Sequence, residues 1–442
     1  MKINLFVGID DTDSALKGGC TTYIAAVLVE KLSRYAVFND YPHLIRLNPI
    51  TPYKTRGNGA ISLNLSLNLS KVDVVKNLVI DTVRAYAHPE DPNTHPGIVF
   101  WEFREQQLDL LSSFAKQSLH ELVDLDTAYN IVRKINAEIY TIKKGRGIIG
   151  ALSAIGLPLT SDYTFELIAY RPYNSTTPRL IEFSSVLLMD TITKPYTYNN
   201  LDYETKRILI TPHGPDPVYF GIRGETPQTV YTAFKLVQPM KPIERWVIFR
   251  TNQGTDMHLI PKKISDIKPY SCGILTGIVK TYPKVLRGGH VILTIEDSTG
   301  HLECAVYYPT GNLRKIASKL APGDEIQVFG CAKPLKERLT FNVEKLRILK
   351  LAPRYIQRNP TCPVCGHRMT SAGKNKGFKC KKCSFVDPHA KKILIPINAD
   401  IHPGLYMPPP RSQKHLSKPL SRPKLEKKIY LDKMLNIQWH YP

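Results

Sequence analysis

The sequence predicts a multidomain α+β chain, and three observations lead there. At 442 residues the chain exceeds one ordinary core, so three or four domains are expected, at roughly 100–200 residues per domain. Helix-like and strand-like periods alternate through the first 240 or so residues, then give way to short β runs between about 270 and 350. Two CxxC pairs follow, Cys362–Cys365 and Cys380–Cys383. With 43% hydrophobic and 9% aromatic residues the chain can bury several cores, which excludes wholesale disorder.

The elements read in order. INLFVGI is a buried strand, and TTYIAAVLVEKLSRYA has helical spacing at Ile24, Val27, Leu28 and Leu32. GAISLNLSLNL alternates as a half-buried strand and VDVVKNLVIDTVRAYA resumes a helical period. AHPEDPNTHPG breaks both periods and is a loop before the strand GIVFWEF. Residues 1–137 form this α/β unit. A second α+β unit, 138–240, opens with KKGRGIIGALSAIG, contains the strand YTFELIAYR and closes with two short strands around the turns of RILITPHGPDPVYFGIRGET. Residues 241–350 are read as a linker and then a barrel of the OB type. Its five or so strands are separated by turns such as RGG and DSTG, and the helical NLRKIASKL precedes the fourth. The cysteine pairs occupy 351–403. A basic, Pro-containing tail, 404–442, shows little core pattern before YLDKMLNIQWHYP and is expected to be mobile unless docked.

Lys and Arg number 60 against 38 Asp and Glu, a formal charge of +22. That excess points to a polyanionic partner, nucleic acid ahead of membrane. No run of 18 apolar residues occurs, and the N-terminus reads as a strand, so a soluble, cytoplasmic protein is expected.

Cys362, Cys365, Cys380 and Cys383 form CxxC-x14-CxxC. Two residues between thiolates let one tight turn present both sulfurs, and two such turns complete a tetrahedral site. Four cysteines leave no open position, so the expected metal is a structural Zn²⁺ in a reducing compartment. Arg368, Lys374, Lys376, Lys379, Lys381 and Lys382 give the module a basic surface suited to phosphates. Cys272, Cys304 and Cys331 lie in apolar β runs and are read as core residues.

The sharpest signal is VGIDDTDSALKGGCTTY. A strand that ends in Asp10, Asp11 and then Asp13 delivers carboxylates to the carboxyl edge of a sheet, where α/β ligands gather. Such a cluster suits Mg²⁺, which ordinarily arrives with nucleotide phosphates. Phosphate contacts are offered by Lys54, Arg56 and Asn58 in PYKTRGNG, and by Lys144, Gly145, Arg146 and Gly147 in KKGRGIIG. Neither loop fits the Walker pattern. Thr21 stands at a helix start, where it either caps the helix or handles a phosphoryl group near the metal.

Taken together, VGIDDTDS, GGCTTY, PYKTRGNG, HPGIVFWEF, GRGIIGALSAIG, YTFELIAYR, GPDPVYFGIRGE and ERWVIFRTNQGTD, followed by an OB-like segment and a four-cysteine ribbon, resemble the archaeal isoleucine-tRNA 2-agmatinylcytidine synthetases from Met1 to about Cys383. The resemblance implies a kinase-like first domain, a ferredoxin-like second, an OB fold and a zinc ribbon. It implies ATP-dependent ligation of agmatine to C2 of the wobble cytidine in the CAU anticodon of a minor isoleucine tRNA. It also implies phosphorylation of Thr21 and a role for Asp10, Asp11 and Asp13 with ATP and Mg²⁺. No membrane or obligate protein partner is implied. Agmatine is a dication, so its pocket should hold carboxylates or carbonyls; Asp216 and then Glu225 in GPDPVYFGIRGE are the candidates. The rival readings are an ATP-dependent RNA-modifying enzyme that attaches another amine, which would share these loops, and an RNA-binding protein with a degenerate nucleotide sensor, which intact Asp10, Asp11 and Thr21 argue against.

Overall fold

A computed structural model describes residues 1–336, 338–427 and 434–442. Its largest element is a ten-stranded sheet. The main path runs Val218–Gly224, Thr164–Tyr170, Arg245–Thr251, His43–Arg46, Gly59–Asn68, Lys2–Asp10, Gly97–Glu102, Glu138–Thr141. The strand and helix expectations of the first unit fall in place, with helices at Thr21–Leu32 and Val72–Tyr86. Ile3, Leu5, Val7 and Ile9 of the first strand are buried with Ile24, Val27 and Leu28 of the first helix.

The two α+β units share this sheet. Arg245–Thr251, expected within a linker, is the strand that fuses them: it pairs antiparallel with Thr164–Tyr170 and parallel with His43–Arg46. Its run RWVIFRT holds four apolar residues in a row, and burial on both faces removes the alternation that marks a strand. Glu138–Thr141 likewise belongs to the first unit, pairing with Gly97–Glu102.

The helix Gly147–Gly156 follows and lies directly on the first strand. Its glycines are there for close approach. A Cβ at Gly147 would sit 2.4 Å from the Asp10 carbonyl oxygen, and one at Gly8 would sit 2.3 Å from that of Ala151. Contacts that short leave no room for any side chain. The helix is thereby pinned with its N-terminal end beside Asp10.

The β runs from Cys272 to Lys350 close into a barrel. Cys272–Val279, Glu325–Leu335 and Arg338–Lys350 pair in series, and Gly300–Val306 closes the ring by pairing parallel with Arg338–Lys350. The helix Asn312–Ala317 sits where NLRKIASKL was expected. Cys272 and Cys331 are buried as expected, but they face each other across the first pair and form a disulfide rather than two free thiols. Cys304 is a free, buried thiol.

A two-stranded arm, Arg354–Arg358 with Ile393–Ile397, carries the cysteine module. Only Cys362, Met369, Phe378 and Cys380 form its buried apolar cluster, too little to hold a fold without a metal. The tail is docked. Gly404–Tyr406 adds to the barrel, and His440–Tyr441 adds to Arg245–Thr251. Trp439 packs on Phe38 and Tyr41, with ring centroids 5.6 and 6.0 Å away. Of YLDKMLNIQWHYP, residues 430–433 lie outside the described residues.

Candidate active site

A cavity of about 460 Å³ opens where the carboxyl end of the first strand meets the second unit. Asp10, Asp11, Asp13, Thr21, Lys54, Arg56, Asn58, Arg146 and Asp216 all line it, so residues far apart in sequence converge on one place.

The three aspartates are not equivalent. Asp13 accepts from Arg56 Nε and Nη2 at 2.9 and 2.7 Å and from the Thr55 hydroxyl at 2.9 Å. Asp11, in a left-handed conformation with φ of 60°, accepts from Arg146 Nη2 at 2.9 Å. Asp10 has no ion-pair partner among the described residues. Burial, and then Asp11 beside it, push its carboxyl up to about 8. Burial likewise lifts Asp11 to about 6, against the pull of Arg146. Asp10, with no ion-pair partner among the described residues, and Asp11 beside it are carboxylates that a cation from outside the chain could hold in the charged form.

Thr21 does not cap its helix. Cys20 is the N-cap residue, and Thr21 begins the first turn with its hydroxyl 2.9 Å from that of Thr12. Both residues are buried, and Thr21 lines the cavity. Arg56 bridges the two units, donating to Asp216 at 2.8 Å as well as to Asp13. Asn58 holds the loop by donating to the Asn48 carbonyl at 2.8 Å, and Lys54 donates to the Pro49 carbonyl.

The second loop divides. Arg146 reaches the cavity, stacking over Tyr53 at 4.9 Å. Lys144 is exposed and does not line the cavity, nor do Gly145 and Gly147. The Gly145 amide already donates to Ile142 O at 3.3 Å and the Gly147 amide to His95 O at 3.0 Å, so neither is free for a phosphate. Gly145 is needed for its φ of 60° and Gly147 for the close approach described above.

Of the two carboxylates assigned to agmatine, Asp216 is in place but shared between Arg56 and Arg179, at 2.8 and 3.3 Å. Glu225 is not in the cavity. It is buried and paired with Arg422 and Lys427 of the tail, so its charge is already compensated. Sequence reasoning missed Arg46, Glu166, Arg223 and His415, which also line the cavity. Glu166 could have been noticed: it is a charge in an otherwise apolar strand, and it pairs with Arg223 at 3.0 Å. His415 carried no signal in the sequence.

In the cysteine module all four sulfurs lie within 4.8 Å of one another, with Cys362–Cys383 at 3.5 Å and Cys365–Cys380 at 3.4 Å. The Lys382 backbone amide donates to the Cys380 sulfur at 3.4 Å, a contact that suits the thiolate a zinc ion takes. On the barrel, Tyr282 and Tyr308 are well exposed, as base stacking requires. Tyr307 is less so, and its hydroxyl donates to Asn342 at 3.0 Å. No described helix is long and apolar enough to cross a membrane.

A cavity lined by clustered carboxylates and arginines, joined to a barrel of the OB type and a basic four-cysteine module, points to the class of enzymes that act on RNA. Family models sharpen this. The TiaS TCKD domain matches residues 6–75, the TiaS FLD domain 145–258, the OB-fold nucleic acid binding domain 274–349 and the TiaS C-terminal zinc ribbon domain 359–401. The isoleucine-tRNA 2-agmatinylcytidine synthetase TiaS of Pyrococcus horikoshii is 45% identical over 429 residues, 96% of this chain and 99% of that protein. Its counterpart in Methanocaldococcus jannaschii is 41% identical over 95% of this chain and 98% of its own length. A solved complex of TiaS with its isoleucine tRNA and ATP superposes with a TM-score of 0.86 at 37% identity, covering 95% of this chain and 97% of that one. A complex of TiaS with the same tRNA, AMPCPP and agmatine gives 0.82 at 34% identity, covering 96% and 98%. The chain belongs to the TiaS family.

Proposed function

We propose that this chain joins agmatine to C2 of the wobble cytidine in the CAU anticodon of a minor isoleucine tRNA, at the expense of ATP. The observation that carries the proposal is the near full-length likeness to TiaS complexes with isoleucine tRNA, ATP and agmatine, combined with an intact Asp10–Thr21–Arg56 cavity.

The chemistry follows from the groups present. The C2 oxygen of cytosine is a poor leaving group. Phosphoryl transfer to it makes the oxygen displaceable; agmatine's primary amine then attacks C2, and the oxygen departs with its phosphate. Arg56, Arg146 and Lys54 offset charge on the phosphates. Asp10 and Asp11 are the residues that would hold Mg²⁺, which would keep both in the charged form. Thr21 presents a hydroxyl beside them that would take a phosphoryl group from ATP, losing its proton as the rest of the nucleotide leaves. Asp216 would meet a cationic end of agmatine in competition with Arg56 and Arg179; Glu225 is not carried forward. Gly145 and Gly147 shape the second loop, and Lys144 stands exposed outside the cavity.

The target base must leave the anticodon stack to reach a cavity set between the two units. The OB barrel and basic ribbon then hold the rest of the tRNA, which raises the effective concentration of the loop at the site. Such a reaction belongs to the cytoplasm. The test is mass analysis of an isoleucine tRNA transcript after incubation with protein, ATP, Mg²⁺ and agmatine. The expected gain is the mass of agmatine minus water, confined to the anticodon-loop fragment and dependent on ATP. ATP consumption without that gain would mean a different amine.

A further inference from the structure

The tail also builds the cavity. Main-chain bonds tie it to the turn after Arg245–Thr251: Gly254 N donates to His415 O at 2.9 Å, and Asp256 N donates to Leu416 O at 2.8 Å. Leu416 and Ser417 are buried behind these bonds, and Arg422, fully buried, anchors the following turn to Asp162 at 2.9 Å and to Glu225. With the backbone held on both sides, the His415 side chain faces the cavity, open to the solvent within it.

The ring's hydrogen bonding is decided by its neighbours. Arg223 Nη2 lies 2.9 Å from Nδ1, and Gln253 Oε1 lies 3.1 Å from the same atom. A guanidinium can only donate, and its charge-assisted bond outweighs the neutral alternative. Nδ1 therefore accepts, and the ring proton sits on Nε2. That atom lies beside the PYKTRGNG loop; a Cβ at Gly57 would stand 3.3 Å from it, so a glycine there leaves the ring its space. The ring borders solvent on its cavity side, while the protein packed around the rest of it, and then Arg46, Arg223, Lys54 and Lys414, push the imidazole below its ordinary range and favour the neutral form. A neutral imidazole with one N–H free is a hydrogen-bond donor rather than a base.

We propose that His415 is a further catalytic residue, delivered by the tail, whose Nε2–H donates to an acceptor oxygen of the bound substrates: a phosphate oxygen of the nucleotide or the carbonyl oxygen of the target base. Both are oxygens on which negative charge grows during the reaction, and both suit a donor set among arginines and a lysine. The proposal rests on the function given above.

The experiment uses the full-length protein with zinc. Wild type, His415→Ala and His415→Gln are compared for ATP turnover without tRNA, for agmatine incorporation into the tRNA transcript, and for thermal midpoint. Removing one such donor is expected to lower the rate about 100-fold, the scale seen for donors that stabilise developing charge. The glutamine amide restores an N–H near the position of Nε2 and should recover at least tenfold over alanine, a rescue that a packing role does not produce. Loss of ATP turnover without tRNA assigns the bond to a phosphate oxygen; loss confined to agmatine incorporation assigns it to the base. Alanine activity within threefold of wild type in both assays overturns the proposal. So does equal impairment of the two variants with a matching fall in midpoint. Wild-type protein that incorporates no agmatine overturns the proposed function itself, and the ATP-turnover arm alone then judges His415.

Discussion

Gly150→Ala isolates the position of Asp10 from everything else in the cavity. A Cβ at residue 150 would lie 1.9 Å from Asp10 Oδ2 and 2.6 Å from its Cγ. Ordinary contact between such atoms needs about 3.5 Å, so the carboxyl has to move by roughly 1.5 Å. The helix cannot retreat instead, because Gly147 and Gly8 hold it against the strand through contacts of 2.4 and 2.3 Å to backbone oxygens. Asp10 must rotate away. A displacement of about 1 Å at a reacting centre lowers rates about 100-fold, or about 2.7 kcal/mol at 1.36 kcal/mol per tenfold. Alanine is also the better helix former by about 1 kcal/mol, which offsets part of the strain of the clash. The expected result is therefore an enzyme that folds with a midpoint within a few degrees of wild type but turns over ATP about 100-fold more slowly. Steady-state ATP consumption with tRNA and agmatine present, alongside a thermal melt, measures both. Gly156→Ala is the control. Its Cβ would press on the Leu111 carbonyl at 2.5 Å, away from the cavity, so it should lower stability and leave the rate per folded molecule alone. Half or more of wild-type turnover in Gly150→Ala would refute the role given to Asp10.

Four other outcomes follow from the same reasoning. Arg422→Ala leaves Asp162 and Glu225 without their buried partner and should lower stability by about 3–5 kcal/mol in urea unfolding. Burial alone would raise the Glu344 carboxyl, but His258 at 3.1 Å, with Lys414 and Lys345 near it, holds it below its ordinary 4.5. A depressed carboxylate contributes stability that is complete above pH 4.5 and disappears as pH falls through its lower folded value. Glu344→Gln should thus be less stable than wild type at pH 7 by about 1–3 kcal/mol, and the gap in urea midpoint should narrow once the pH drops below 4.5. Stripping zinc with a strong chelator should raise hydrogen exchange across the cysteine module and weaken tRNA binding while protection of the main sheet stays unchanged. Thr21→Val should abolish ATP turnover, and Thr21→Ser should keep it within about tenfold, since only the hydroxyl is asked to meet phosphate.

The sequence alone determined the local elements and the metal module. Period-2 and helical runs located the strands and helices of the first unit, most plainly Val72–Tyr86, which buries Val75, Val79, Thr82 and Val83 on one face, because a half-buried element writes its period into the chain. CxxC spacing is local chemistry, so the cysteine site was legible without any fold. Asp10, Asp11, Asp13 and Arg56 were legible as well, since carboxylates and cations crowded into short loops need an explanation wherever the chain goes. Tertiary structure decided the rest. The fusing strand Arg245–Thr251 is buried on both faces and so shows no alternation. The glycines of GRGIIG looked like a phosphate loop, yet Gly147 and Gly150 serve helix-on-strand contact, a distinction that depends on what stands opposite them. Glu225 looked free until Arg422, 197 residues later, was seen to pair with it. His415 could not be read at all, because a lone histidine in a basic, proline-rich tail acquires its meaning only from the arginine, the glutamine and the glycine that long-range folding brings to its ring.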